Sequence, residues 1–142
     1  MRRILDSGSE IGNHSLHHEL YPSAGSLAET DRLISRATGF RPCLFRPPGG
    51  GVNGALIGRA DAQRLTTVNW DVDPRDWSTP GGGAIASNVI RTARRGSIVV
   101  MHDGGGPRAQ TVAALPAILS HFRHRRYRFV TISELLGNRF TY

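Results

Sequence analysis

Apolar and polar positions along this chain switch repeatedly between a short period and a longer, helical one. Five brief runs have the composition of β-strands: Glu10-Ile11-Gly12-Asn13, Cys43-Leu44-Phe45, Thr66 to Trp70, Ser97 to Met101, and Phe129-Val130-Thr131. Helical spacing fills the stretches between them. Residues 1–7 read as the last turns of a helix stopped by Gly8. Ser26-Leu27-Ala28-Glu29 reads as a capping box, in which a hydroxyl and a carboxylate satisfy the free N–H groups of a helix start. Leu27, Leu33, Ile34 and Ala37 give that helix an apolar stripe, and Gly39 ends it. Further helices are predicted over 53–64, over 84–95 with Gly96 as the stop, over 108–125, and around Ser133-Glu134-Leu135-Leu136. Pro116 should kink the 108–125 helix or mark its true start. The run from Ser97 to Met101 suits burial on both faces.

Strands alternating with helices predict an α/β fold, a parallel sheet or barrel. The chain opens inside a helix where such folds open on a strand, so a first strand is expected to be missing upstream. With 142 residues, a single domain over 1–142 with a real core is expected. No run approaches the ~18–20 apolar residues of a spanning helix, so no membrane span is expected. The N-terminus lacks the apolar stretch of a signal peptide. Cys43 is the lone cysteine, which rules out an internal disulfide, and it should pack as a small buried hydrophobe.

Charge adds one feature. All 18 basic residues are arginines, against 11 acidic residues, for a net charge of +7. The densest group is Arg123, Arg125, Arg126 and Arg128. Such a group suits a solvated helix end, where cations also meet the macrodipole; the other reading is a patch for an anionic polymer. No nucleic-acid motif accompanies it, so nucleic acid is not an expected partner.

Four motifs then fall where predicted strands end, the place where parallel α/β folds gather catalytic groups. In His14-Ser15-Leu16-His17-His18, a helical turn would put His14 and His18 on one face, able to grip a metal ion. A pair of ordinary core or surface histidines is the alternative, and His17 is a bystander. In Arg46-Pro47-Pro48-Gly49-Gly50, prolines fix the backbone and glycine lets a main-chain N–H approach a ligand. This suits an oxyanion-stabilising turn, or simply a tight loop. Asp73-Pro74-Arg75-Asp76-Trp77 offers carboxylates able to orient a histidine and a flat wall for a sugar ring, or else an Asx turn. His102, in Val100-Met101-His102-Asp103, is placed as a general acid, or as a satisfied histidine at a strand edge.

Taken in order, these motifs resemble those of the polysaccharide deacetylases of NodB-homology type, carbohydrate esterase family 4. His14 to His18 is similar to the family's H-[ST]-x-x-H, Arg46 to Gly50 to its R-x-P-x-G, Asp73 to Trp77 to its D-x-x-D-W, and Val100 to His102 to its late strand-His motif. The tail from Tyr127 to Leu136 is similar to its closing strand and helix. The resemblance implies a distorted (β/α) barrel and a hydrolase that removes N-acetyl groups from amino-sugar polymers such as peptidoglycan or chitin-like oligomers, outside the cytoplasm. It implies His14 and His18 as ligands of a divalent metal, usually zinc. It makes His102 the general acid tuned by Asp76, and gives Arg46 the steadying of the catalytic base. Gly49 N–H would hold the oxyanion, and Trp77 and Val100 would line the substrate pocket. One motif is absent from the sequence: the family's T-F-D-D-G-P, which supplies the base and the third metal ligand. Asp71 and Asp103 are conceivable substitutes. The alternative to the hydrolase is a fold that binds glycan and does not cleave it, the base and third ligand being absent.

Overall fold

The computed structural model describes residues 1–137, which divide into two compact units, Met1–Asn69 and Trp70–Gly137. In the first unit, helix α1 (Arg2–Asp6) ends as predicted before Gly8. Helix α2 (Ala24–Thr38) starts a turn earlier than the capping-box reading. Ser23 is its N-cap, accepting from Ser26 N–H, while the Ser26 hydroxyl accepts from Leu16 N–H at 3.1 Å. Glu29, freed from capping, pairs with Arg32 one turn along. Gly39 closes α2 in the left-handed conformation.

Strands β1 (Leu44–Phe45) and β2 (Thr66–Thr67) pair in parallel, and helix α3 (Gly54–Asp61), capped by Asn53, crosses between them. On the other side of β1, Asn13 forms a parallel bridge with Phe45. The expected strand over Glu10–Asn13 shrinks to that bridge. Leu27, Phe45, Leu56, Ala60 and Leu65 form the core of this unit. Each large member is worth about 1.5–3 kcal/mol relative to exposure. Cys43 is half-buried beside Glu10 rather than deep in that core.

Asn13 joins the β-segment to α2. Its amide donates to Leu27 O at 2.9 Å and to Asp31 Oδ1 at 2.6 Å. Burial pushes the Asp31 carboxyl above its ordinary value, against the opposing pull of the Asn13 bond and Arg41. A raised folded pKa means stability is greatest while Asp31 is protonated and falls as pH rises through that value. Asp31→Asn is therefore expected to unfold at a higher temperature than the parent at pH 7. The gain should vanish at pH 3, as thermal scans at the two pH values would record.

The second unit packs helix α4 (Gly82–Thr92) against α5 (Ala109–His124), with Ile85, Ala86, Val89, Ala114, Ile118 and Phe122 as its core. Gly82 permits the approach, since a Cβ there would stand 3.2 Å from Gln110 O. Helix α4 stops at Thr92 rather than near Gly96, with Ala93 already extended. Helix α5 contains Pro116 in its interior, so the proline does not mark its start. The carbonyl that Pro116 leaves unbonded belongs to Val112, which is exposed, so water can satisfy it. Among the described residues, the run from Ser97 to Met101 pairs only through a parallel bridge between Val72 and Val99. Phe129–Thr131 forms no strand; Phe129 and Val130 are exposed, and the short helix α6 (Ile132–Leu135), capped by Thr131, follows.

Candidate functional site

In the first unit the His14–His18 segment is a turn, not the helical turn that the spacing suggests. Ser15 and His18 take positive φ values of 67° and 59°. Local side chains impose this. Asn13 Oδ1 accepts from Ser15 N–H, Ser15 Oγ accepts from Glu19 N–H, and the Glu19 carboxylate accepts from His17 N–H. The Ser15 hydroxyl, with the N–H groups of Glu19 and His17, holds the Glu19 carboxyl down at about 2. His17 is exposed and takes no part beyond that backbone bond.

The turn still brings the predicted pair together. The rings of His14 and His18 lie 5.0 Å apart between centroids, edge to face. Arg46 N–H donates to Asn13 O at 2.9 Å, and the Arg46 carbonyl receives His14 Nδ1 at 2.5 Å. A carbonyl only accepts, so Nδ1 carries the proton and Nε2 the lone pair, the tautomer a metal-binding histidine presents. Arg46 Nη2 lies 3.4 Å from that Nε2. The donor set therefore fits two positions of a metal site. Among the described residues no group of three His, Cys, Asp or Glu side chains comes together to complete one.

After Arg46 the chain enters a single 3₁₀ turn, Pro48–Gly50, with Gly49 at φ 64°. That φ is what selects glycine; the nearest atom to a Cβ there, Leu20 Cδ2 at 2.8 Å, ends an exposed side chain that can swing away. Asn69 Nδ2 donates to Gly50 O at 2.9 Å and pins the turn.

In the second unit the two readings of the Asp73–Trp77 motif divide between its carboxylates. Asp73 Oδ1 accepts from Arg75 N–H at 2.7 Å, an Asx turn and nothing more. Asp76 is 1% exposed and faces His102. Its Oδ1 accepts from His102 Nδ1 at 2.8 Å, and its Oδ2 accepts from His102 N–H at 2.8 Å and Thr111 Oγ1 at 2.9 Å. Burial alone would raise the Asp76 carboxyl. The bonds from His102 and Thr111 outweigh it and hold the group below its ordinary range. The carboxylate fixes His102 with Nδ1 protonated, leaving Nε2 as the nitrogen that can exchange a proton.

Trp77 is 46% exposed, with the Arg75 guanidinium 5.0 Å over its ring. Arg108 ties the glycine loop after Asp103 to this motif, donating to Gly104 O, Gly105 O and Trp77 O. Val100 is buried, its N–H bonded to Val72 O. Of the two conceivable substitute carboxylates, Asp71 is already committed to Ser97 Oγ and Ile98 N–H, and Asp103 is exposed. Sequence reading missed Thr111, Arg108 and the anchoring role of Asn13. Thr111 did leave a signal: it is a polar residue on the stripe shared with Ala114 and Ile118.

Residues 1–68 match the family described as polysaccharide deacetylase. A peptidoglycan-N-acetylglucosamine deacetylase of Bacillus cereus is 44% identical over 144 residues, covering 96% of this chain and 67% of the relative. The chain belongs to the polysaccharide deacetylase family. Two other curated peptidoglycan deacetylases, of Listeria monocytogenes and Bacillus subtilis, are longer, and the chain spans about 30% of their length. Among solved structures, a family 4 pseudoenzyme of Bacillus anthracis superposes with a TM-score of 0.87 at 31% identity, over 98% of this chain and 50% of that one. A family 4 acetyl xylan esterase of Clostridium thermocellum, in complex with a cobalt ion, gives 0.88 at 31% identity, over 96% and 68%. The deacetylase fold of this chain is α/β. No helix among its described residues is long and apolar enough to cross a membrane.

Proposed function

We propose that this chain is the greater part of a single NodB-homology catalytic domain, a distorted (β/α) barrel that hydrolyses N-acetyl groups on amino-sugar polymers of the cell wall, outside the cytoplasm. The observation that carries the reading is the buried Asp76 locked onto His102. A solvent-facing histidine with Nδ1 committed to a carboxylate is built to hand over a proton from Nε2. His102 protonates the departing amine as the C–N bond breaks and water adds to the acyl carbon, giving acetate and a free amino sugar. His14 and His18 would hold a divalent metal, zinc by the resemblance, which would supply Lewis acidity toward water and the amide carbonyl. Gly49 N–H stabilises the developing oxyanion. Arg46 positions His14 and steadies the base where one is present. Trp77 and Val100 bound the sugar and the acetyl methyl.

A second reading, glycan binding without hydrolysis, is favoured by one observation. The sequence contains no T-F-D-D-G-P, and the histidine pair gains no carboxylate ligand among the described residues. Acetate release from N-acetylglucosamine oligomers with added zinc separates the two. Under the first reading the parent releases acetate, and His102→Ala slows it by about 10²–10⁴-fold. Oligomer binding with no release by the parent, indifferent to His102→Ala, establishes the second.

A further inference from the structure

In the second unit the C-terminal ends of α4 and α5 border an open pocket of about 360 Å³. Leu115, Phe129, Val130 and Leu135 line it and yet remain exposed, Phe129 to 52%. Arg94 and Arg128 stand in its wall. Arg95 lies 5.0 Å over the ring of Tyr127, which joins the α4 end to the segment leaving α5. Between residues 91 and 128 the chain carries eight arginines and a single acidic residue, Asp103. Arg128 pairs with Glu134. Arg123, Arg125 and Arg126 are exposed, and none is in an ion pair among the described residues.

A helix C-terminus explains a cation or two on the last turn. It does not explain an apolar opening lined by Phe122, Tyr127 and Arg128, the residues that flank them in the chain. A hydrophilic polyanion would engage the arginines and leave that opening in water. A bilayer interface uses both, since acyl chains receive the apolar side chains while headgroup phosphates meet the guanidinium groups. We propose that this face docks on an anionic lipid bilayer, with Leu115, Phe129 and Val130 entering the interface and Arg123, Arg125 and Arg126 contacting phosphates.

Co-sedimentation of the 142-residue chain with vesicles tests it. Binding is expected to phosphatidylcholine vesicles containing about a third phosphatidylglycerol, and not to phosphatidylcholine alone. Arg125→Ala with Arg126→Ala should lower partitioning by about 25-fold, taking roughly fivefold per arginine. Phe129→Ser, with every charge intact, should lower it by about tenfold. Circular dichroism of each variant separates lost docking from lost folding, and the double lysine variant should still bind. Absence of binding to the anionic vesicles overturns the proposal. So does binding that soluble polyphosphate abolishes and Phe129→Ser leaves unchanged, which would make the face a polyanion site.

Discussion

Asp76→Ala is expected to lower the stability of the chain by about 3–5 kcal/mol and to remove whatever acetate-releasing activity it has. Truncation strands three donors at once: His102 Nδ1–H, His102 N–H and Thr111 Oγ1. Each unsatisfied buried group costs about 1–3 kcal/mol, and the imidazole loses what fixes its tautomer. Asp76→Asn keeps the shape but replaces one accepting oxygen with an NH2 facing groups that all donate to the carboxylate in the parent, so it should recover part of the stability and little of the activity. The pH dependence gives an independent signature. Asp76 titrates below its ordinary value when folded, so it contributes stability above the unfolded carboxylate range and loses it as pH falls through the folded value. Urea titrations across pH 2–7 should show an acid-induced loss in the parent that is smaller in Asp76→Asn.

Much of this site was legible because its residues close apolar runs. His102 follows the run ending at Met101, and Asp73 and Asp76 follow the segment through Val72; the chain alone marked all three, and the family resemblance paired Asp76 with His102. Thr111 was not, being 35 residues from its partner on a helix whose face only packing selects. The His14–His18 spacing suggested a helix; the side chains of Asn13, Ser15 and Glu19 instead bond backbone N–H groups and fold a turn. The rings meet either way, so their closeness was legible in the spacing and the turn that produces it was not.

Helices were read to within a few residues, and their errors trace to competing caps. Ser23 and Ser26 both offer a hydroxyl at the start of α2, and the loop at Leu16 claims the second. Strands fared worse. An apolar run signals burial, whereas a strand requires a neighbour in register, which is a non-local fact. Phe45 finds neighbours on both sides, Val99 only a bridge, and Val130 none among the described residues. Loss of pairing at 129–131 leaves the apolar side chains exposed beside the arginines, where the lipid-facing proposal places its contact.

Asn13→Ala should cost about 3 kcal/mol and loosen the proposed metal-binding pair, His14 and His18, in the same step. The Asn13 side chain bonds Leu27 O, Asp31 and Ser15 N–H, so its loss frees the β-segment from α2 and the histidine turn from the β-segment. Asp31 would then be a buried carboxylate stripped of the bond that opposes its desolvation. Zinc affinity, read by calorimetry under conditions where the variant remains folded, is expected to fall about tenfold, the scale on which supporting hydrogen bonds act. Asn13→Asp separates geometry from charge. It retains an acceptor for Ser15 N–H but sets a second carboxyl against Asp31 where 2.6 Å now separates donor and acceptor. Two carboxylates there cannot both ionise, so one proton must be shared. This variant should be less stable than the parent at pH 7 and recover as pH falls toward 4. Failure to recover would mean that the Asn13 amide supports the fold through Leu27 O alone.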